Sequence, residues 1–102
     1  MASHYSAVEK IAGGKTVSVD VWVENDLITK VKITGDFFMH PEEQLPALER
    51  VFEGAKVKFD WIDLERKLMM AVQDNSIQLV GVGSGAILSV LKKALSGEPK
   101  HD

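Results

Sequence analysis

The 102-residue sequence has no cysteine, which removes disulfides, thiolate metal sites and cysteine nucleophiles. That fits a reducing, cytoplasmic setting. Its three histidines, His4, His40 and His101, are far apart and make no H-x-x-x-H or H-E-x-x-H pattern, so no metal site is expected. No apolar run approaches the roughly 18 residues of a membrane span, and MASHYSAVEK lacks the basic-then-apolar order of a signal peptide. A surplus of positive charge is missing as well. Twelve Lys and Arg face 15 Asp and Glu, for a net charge of −3, and the basic residues form no stripe, which argues against nucleic acid as a partner. Repeats and low-complexity tracts are absent; only the tail GEPKHD looks loose. These absences describe a soluble, mildly acidic single domain, expected to be ordered over residues 4–96 with a loose tail over 97–102. A chain of this length buries about two-thirds of its unfolded surface, enough for a core without staples.

What is present is patterned. KTVSVDVWVE alternates, with Val17, Val19, Val21 and Val23 on one face and Thr16, Ser18, Asp20 and Trp22 on the other. LITKVKIT sets Leu27, Thr29, Val31 and Ile33 opposite Ile28, Lys30, Lys32 and Thr34. A two-residue Asn25–Asp26 turn would pair Val21 with Lys30 and mix the faces. A three-residue loop from Glu24 to Asp26 pairs Val23 with Leu27 and Val19 with Val31, so the odd loop is expected. Upstream, residues 5–11 read as the first strand of a meander before a Gly13-Gly14 turn, with the inward parity open between Val8 and the Tyr5/Ala7/Ile11 set. PEEQLPALERVFEG carries Leu45, Leu48 and Phe52 at helical spacing and ends at Gly54, with Pro46 making its first turn irregular or setting the start of the regular helix. KVKF is a short extended link. Asp60 can cap WIDLERKLMMAVQD, whose stripe is Leu64, Leu68 and Val72; AILSVLKKAL turns Ile87, Leu88, Leu91 and Leu95 inward. Strands first and helices afterwards predict an α+β fold: a three-stranded antiparallel meander with about three helices on its valine face. The opposite face, with Trp22, Ile28, Lys30 and Lys32, is left for solvent or a partner.

Chemistry is harder to find. IQLVGVGSGAILSVLKKAL has the layout of a strand, a glycine-rich turn and a helix, but it lacks G-x-G-x-x-G spacing and has no GK[ST]. Only 17 residues follow Gly85 in the 102-residue chain, too few for another parallel strand and an acidic ribose ligand about 20 residues on. Ser84 as an N-cap and tight-turn glycines account for the stretch. Asp60, Asp63 and Glu65 sit where a helix start favours acids. No carboxylate pair and no serine triad context is visible, and Met69-Met70 reads as core filler. No catalytic residue is assigned to this chain.

One stretch resists a bland reading. In ITGDFFMHPEE, two of the four phenylalanines stand side by side in a connection. Adjacent residues of extended chain point to opposite sides, so Phe37 and Phe38 divide between core and surface unless the chain twists and buries both. An exposed ring beside Asp36 would mark a binding surface.

GGKTVSVDVWVENDLITKVKITGDFF followed by PEEQLPALERVFEGAKVKFDWIDLERKL resembles the C-terminal accessory domain of lipoate–protein ligase A. The resemblance runs over residues 10–95 and rests on Lys10, Gly13-Gly14-Lys15, Gly35-Asp36-Phe37-Phe38 and the helix from Leu48 to Gly54; VGVGSGAILSVLKKAL is similar to that family's last helix. It implies that the partner is a large catalytic subunit, which binds lipoate and ATP, makes lipoyl-AMP and passes the lipoyl group to a lysine of an acceptor domain. The large domain's R-R-x-x-G-G-G-x-V-x-H-D signature is absent here, so the resemblance implies a separate accessory subunit of a two-part ligase of the archaeal kind. Such a subunit is implied to be needed for activation and not for transfer, with no cofactor of its own. Gly35, Asp36, Phe37, Phe38 and Trp22 are then the expected partner-binding residues. Lys10 and Lys15 match lysines of that family and could reach toward phosphate or carboxylate, or could serve only as surface lysines. The same kind of fold occurs in iron–sulfur scaffold proteins, whose cysteines are missing here. The competing class is a protein-interaction module unrelated to lipoate.

Overall fold

The computed structural model describes residues 3–10, 15–58, 61–80 and 82–99. Three long strands come first: β1 (Ser3–Lys10), β2 (Thr16–Glu24) and β3 (Leu27–Gly35). They form an antiparallel meander in the order β1-β2-β3. After β4 (Phe38–His40), a 3₁₀ turn (Glu42–Gln44) leads into α1 (Leu45–Arg50), so Pro46 stands in the first turn of the regular helix, where its missing N–H has no cost. Then come α2 (Trp61–Asp74), β5 (Gln78–Val80) and α3 (Ser84–Ser96). Ile11, the Gly13-Gly14 turn, Phe59, the Asp60 cap and residues 100–102 of the expected loose tail lie outside the described residues.

The valine alternation sets the layers. Val17, Val19, Val21, Val31 and Ile33 are all buried on one face, against α3 over β1 and β2 and α1 over β3. α2 packs on α1 and α3, closing the core with Leu64 and Leu68. Leu48, Phe52, Ile87 and Leu91 complete it. Lys30 and Lys32 are exposed on the other face, as their parity requires. The parity left open in β1 is now fixed: Tyr5 pairs with Val21 and Ala7 with Val19, packing on the core, while Val8 is 58 % exposed.

The β2–β3 connection corrects the expected odd loop. It is a two-residue turn with Asn25 at φ 55 and Asp26 at φ 63, the double left-handed conformation that suits strand twist. The parity conflict is removed by a bulge. Trp22 pairs with Lys30 but Val23 pairs with Ile28, so Thr29 is the extra residue, and its hydroxyl donates to the Trp22 carbonyl at 3.1 Å. The bulge turns Ile28 inward to full burial and leaves Leu27 exposed, the reverse of the faces expected from simple alternation.

Three smaller differences follow. β4 and β5 pair as a separate two-stranded ribbon. Gly83, not Ser84, stands at the N-cap of α3, without a side-chain cap bond. Met69 and Met70, expected in the core, are about half exposed on α2.

Candidate docking site around Phe38

The G-D-F-F stretch is where β3 leaves the main sheet and enters the β4–β5 ribbon. Gly35 is the pivot. A Cβ built there would collide with the Thr16 carbonyl oxygen and lie 2.9 Å from the Phe37 ring, so only glycine lets β3 and Thr16 come this close. Asp36 then locks the crossing: the Thr16 N–H donates to Asp36 Oδ1 at 2.6 Å, and the Asp36 N–H donates to the Thr16 carbonyl at 3.2 Å. The donated Thr16 N–H holds the Asp36 carboxyl below its ordinary 3.8; partial desolvation opposes this and the Lys15 charge adds to it.

A pH dependence follows. Because the folded-state pKa is depressed, the stabilisation is full above the unfolded value and is lost as pH falls through the lower folded one. The melting-temperature gap between the wild type and Asp36→Asn should therefore be constant near neutrality and shrink below pH 3.8. A gap that does not change down to pH 2 would show that the Asp36 charge plays no part in the lock.

Phe37 and Phe38 divide between core and surface. Phe37 packs on the core beneath the crossing, whereas Phe38 is 67 % exposed. Its cross-strand partner on β5 is Val80, itself 52 % exposed, so the two form one apolar pair on the outer side of the ribbon. Lys15 Nζ lies 5.5 Å from the Phe38 ring centroid, within cation–π range. Beside the ring, an open groove of about 430 Å³ is bordered by Thr34, Gly35, Phe37, Glu42 and Leu45. Gly35, Asp36, Phe37, Phe38 and Lys15 are thus gathered in one place, with Gly35 and Asp36 shaping the surface that Phe38 presents.

Trp22 lies elsewhere. It stands mid-sheet on the outer face with the His4 ring stacked on it at 4.5 Å and 1° between planes, and Lys30 Nζ 5.1 Å from its centroid. His4 Nε2 also meets Asp20 Oδ1 at 2.8 Å. Neighbours from both flanking strands therefore pack on the indole, which is half-buried. Lys10, exposed, closes β1 opposite Thr16.

Val80 and Lys15 are the members of the Phe38 patch that sequence reasoning did not place there. Val80 carried a signal: in I-Q-L-V it occupies the parity of the exposed Gln78, opposite Ile77 and Leu79. A hollow of about 470 Å³ at the hairpin turn, between Asn25–Leu27 and Lys56–Lys58, is distant along β3 from this patch. Among the described residues, no group of three or more His, Asp or Glu side chains is placed to hold a metal ion, and no helix is long and apolar enough to cross a membrane.

A three-stranded antiparallel meander backed by helices on one face defines a small α+β domain. The sequence matches the family described as bacterial lipoate protein ligase C-terminus over residues 1–80, and the chain belongs to that family. Among solved structures it is similar to a chain from an archaeal lipoylation system, a bi-partite lipoate protein ligase and its E2 lipoyl domain from Thermoplasma acidophilum. The TM-score is 0.70 at 22 % identity, covering 89 % of this chain and 97 % of that one, which places the two in the same fold. No curated protein is significantly similar in sequence.

Proposed function

We propose that this chain is the cytoplasmic accessory subunit of a two-part lipoate–protein ligase, docking on a large catalytic subunit that binds lipoate and ATP. Membership of the ligase C-terminus family over residues 1–80 carries the reading. In activation, a lipoate carboxylate oxygen attacks the α-phosphorus of ATP and pyrophosphate leaves, giving lipoyl-AMP. In transfer, an acceptor-domain lysine attacks the lipoyl carbonyl and AMP leaves. The accessory chain serves the first step by ordering the catalytic subunit's two bound substrates and excluding water from the adenylate. Contact with acceptor domains is indirect, through the catalytic subunit.

Phe38, with Val80, is the docking anchor, and Lys15 on its ring is the cation that reaches phosphate or carboxylate across the interface. Replacing Phe38 by alanine should weaken association with the catalytic subunit by about 2 kcal/mol, roughly thirtyfold in Kd, by calorimetry. Because Phe38 is exposed, the melting temperature should hardly move. Trp22→Ala removes a ring packed between His4 and Lys30, so it should lower the melting temperature whether or not this face also docks. Unchanged affinity of a folded Phe38→Ala protein would remove the patch from the interface.

A further inference from the structure

The two edges of the main sheet are treated differently. The outer edge of β3 is occupied: Ile28 N–H donates to Ala55 O at 2.8 Å, Gly54 N–H to Ile28 O at 2.7 Å, and Ile33 N–H to the Glu49 carboxylate at 2.8 Å. These bonds also fix which backbone groups point where. Thr16 directs both its N–H and its C=O at Asp36, toward β3, and Ile33 directs its N–H away from β2. Because the direction alternates along a strand, Val17, Val19, Val21 and Val23 turn their backbone groups toward β1. Their partners Glu9, Ala7, Tyr5 and Ser3 answer them. His4, Ser6, Val8 and Lys10 therefore point their N–H and C=O groups outward, and no described segment bonds to them.

Natural edges are blunted by proline, bulges or inward charges. β1 (SHYSAVEK) has no proline and pairs with β2 without a register break over all eight residues. An edge in this state accepts an added strand.

The flanking charge says what kind of strand. Lys10 ends β1 and is exposed. On α3, Lys92 faces α2, its Nζ 5.5 Å from the Trp61 ring centroid. One residue on, the exposed Lys93 falls about 100° further round α3, the helix that packs on β1. Neither lysine has an ion-pair partner among the described residues, and the acid of β1 is Glu9. A second copy of the chain suits this edge poorly. In the two-fold register that uses the outward residues along the whole strand, Lys10 meets His4 of the other copy.

We infer that β1 is a strand-addition site for an extended, acidic segment of the catalytic ligase subunit, which extends the sheet to four strands and sets a carboxylate near Lys10 and Lys93. The identity of the donor rests on the function proposed above; the open edge does not.

Amide hydrogen exchange, read by NMR on the wild-type chain with and without the catalytic subunit, tests this. The Ser6, Val8 and Lys10 amides should exchange fast in the free chain and become protected at least tenfold in the complex. Val8→Pro, which removes an outward N–H only, should keep the fold and weaken the complex about tenfold or more; Lys10→Glu should weaken it several-fold at low salt. A complex that forms with these amides still fast overturns the inference and leaves the proposed function standing. Failure of the wild-type chain to bind the catalytic subunit overturns the proposed function, and the donor with it. Protection in the free chain that grows with its concentration assigns the edge to a second copy and overturns the inference.

Discussion

Gly35→Val is expected to lower stability by about 3 kcal/mol, and the melting temperature by about 15 °C. The cause is a collision with the backbone. The new Cβ would strike the Thr16 carbonyl oxygen, which belongs to the central strand and cannot swing aside as a flexible side chain can, and it would press on Phe37. Relief requires β3 to leave β2 just where Asp36 locks them, so the loss should spread to Phe37 and loosen the Phe38 patch. Two other glycines calibrate the claim. Gly54, at φ +84 with open space around its Cβ position, should cost about 1–2 kcal/mol on replacement by alanine, through backbone strain alone. Gly85, in the first turn of α3 with nothing within 4 Å, should gain a few tenths of a kcal/mol. Thermal melts of the three variants check the order; a Gly35→Val protein as stable as the wild type would contradict the close approach.

The second large effect is on catalysis. Adding this chain to the catalytic subunit should raise lipoate-dependent exchange of pyrophosphate into ATP about a hundredfold or more, a size that misplacement of reacting groups by about 1 Å can produce. Two substrates must be aligned for this step, and the adenylate formed must be kept from water. The chain alone should support no exchange. Equal rates with and without it would remove any role in activation.

Much of the fold was legible because alternation is a strong signal in long strands. The four valines of β2 fixed the buried face, and Lys30 and Lys32 marked the other side of β3. The hairpin failed at one residue. The conflict between a two-residue turn and the facial pattern was real, but the chain resolves it with a bulge at Thr29 and not with a longer loop. A threonine whose hydroxyl can bond a cross-strand carbonyl leaves no periodic trace. The β4–β5 ribbon was missed because three residues are too few to show a period, and its partners are far apart in the chain, 42 positions for Phe38 and Val80. Strand geometry offered opposite directions for Phe37 and Phe38 beside a twist that buries both, and how Gly35 turns the chain decides that Phe38 is the exposed ring. Lipoate is written in none of these features. It entered through the resemblance carried by G-D-F-F and its neighbours, and the family match supports the ligase connection.

The central claim is that this chain acts at activation and leaves transfer to its partner. The most direct measurement supplies synthetic lipoyl-AMP and an acceptor domain to the catalytic subunit alone and follows lipoylation by mass spectrometry. Transfer at a rate close to that of the two-subunit enzyme is the predicted result. Transfer that appears only when this chain is added would contradict the account, because the chain would then serve both steps.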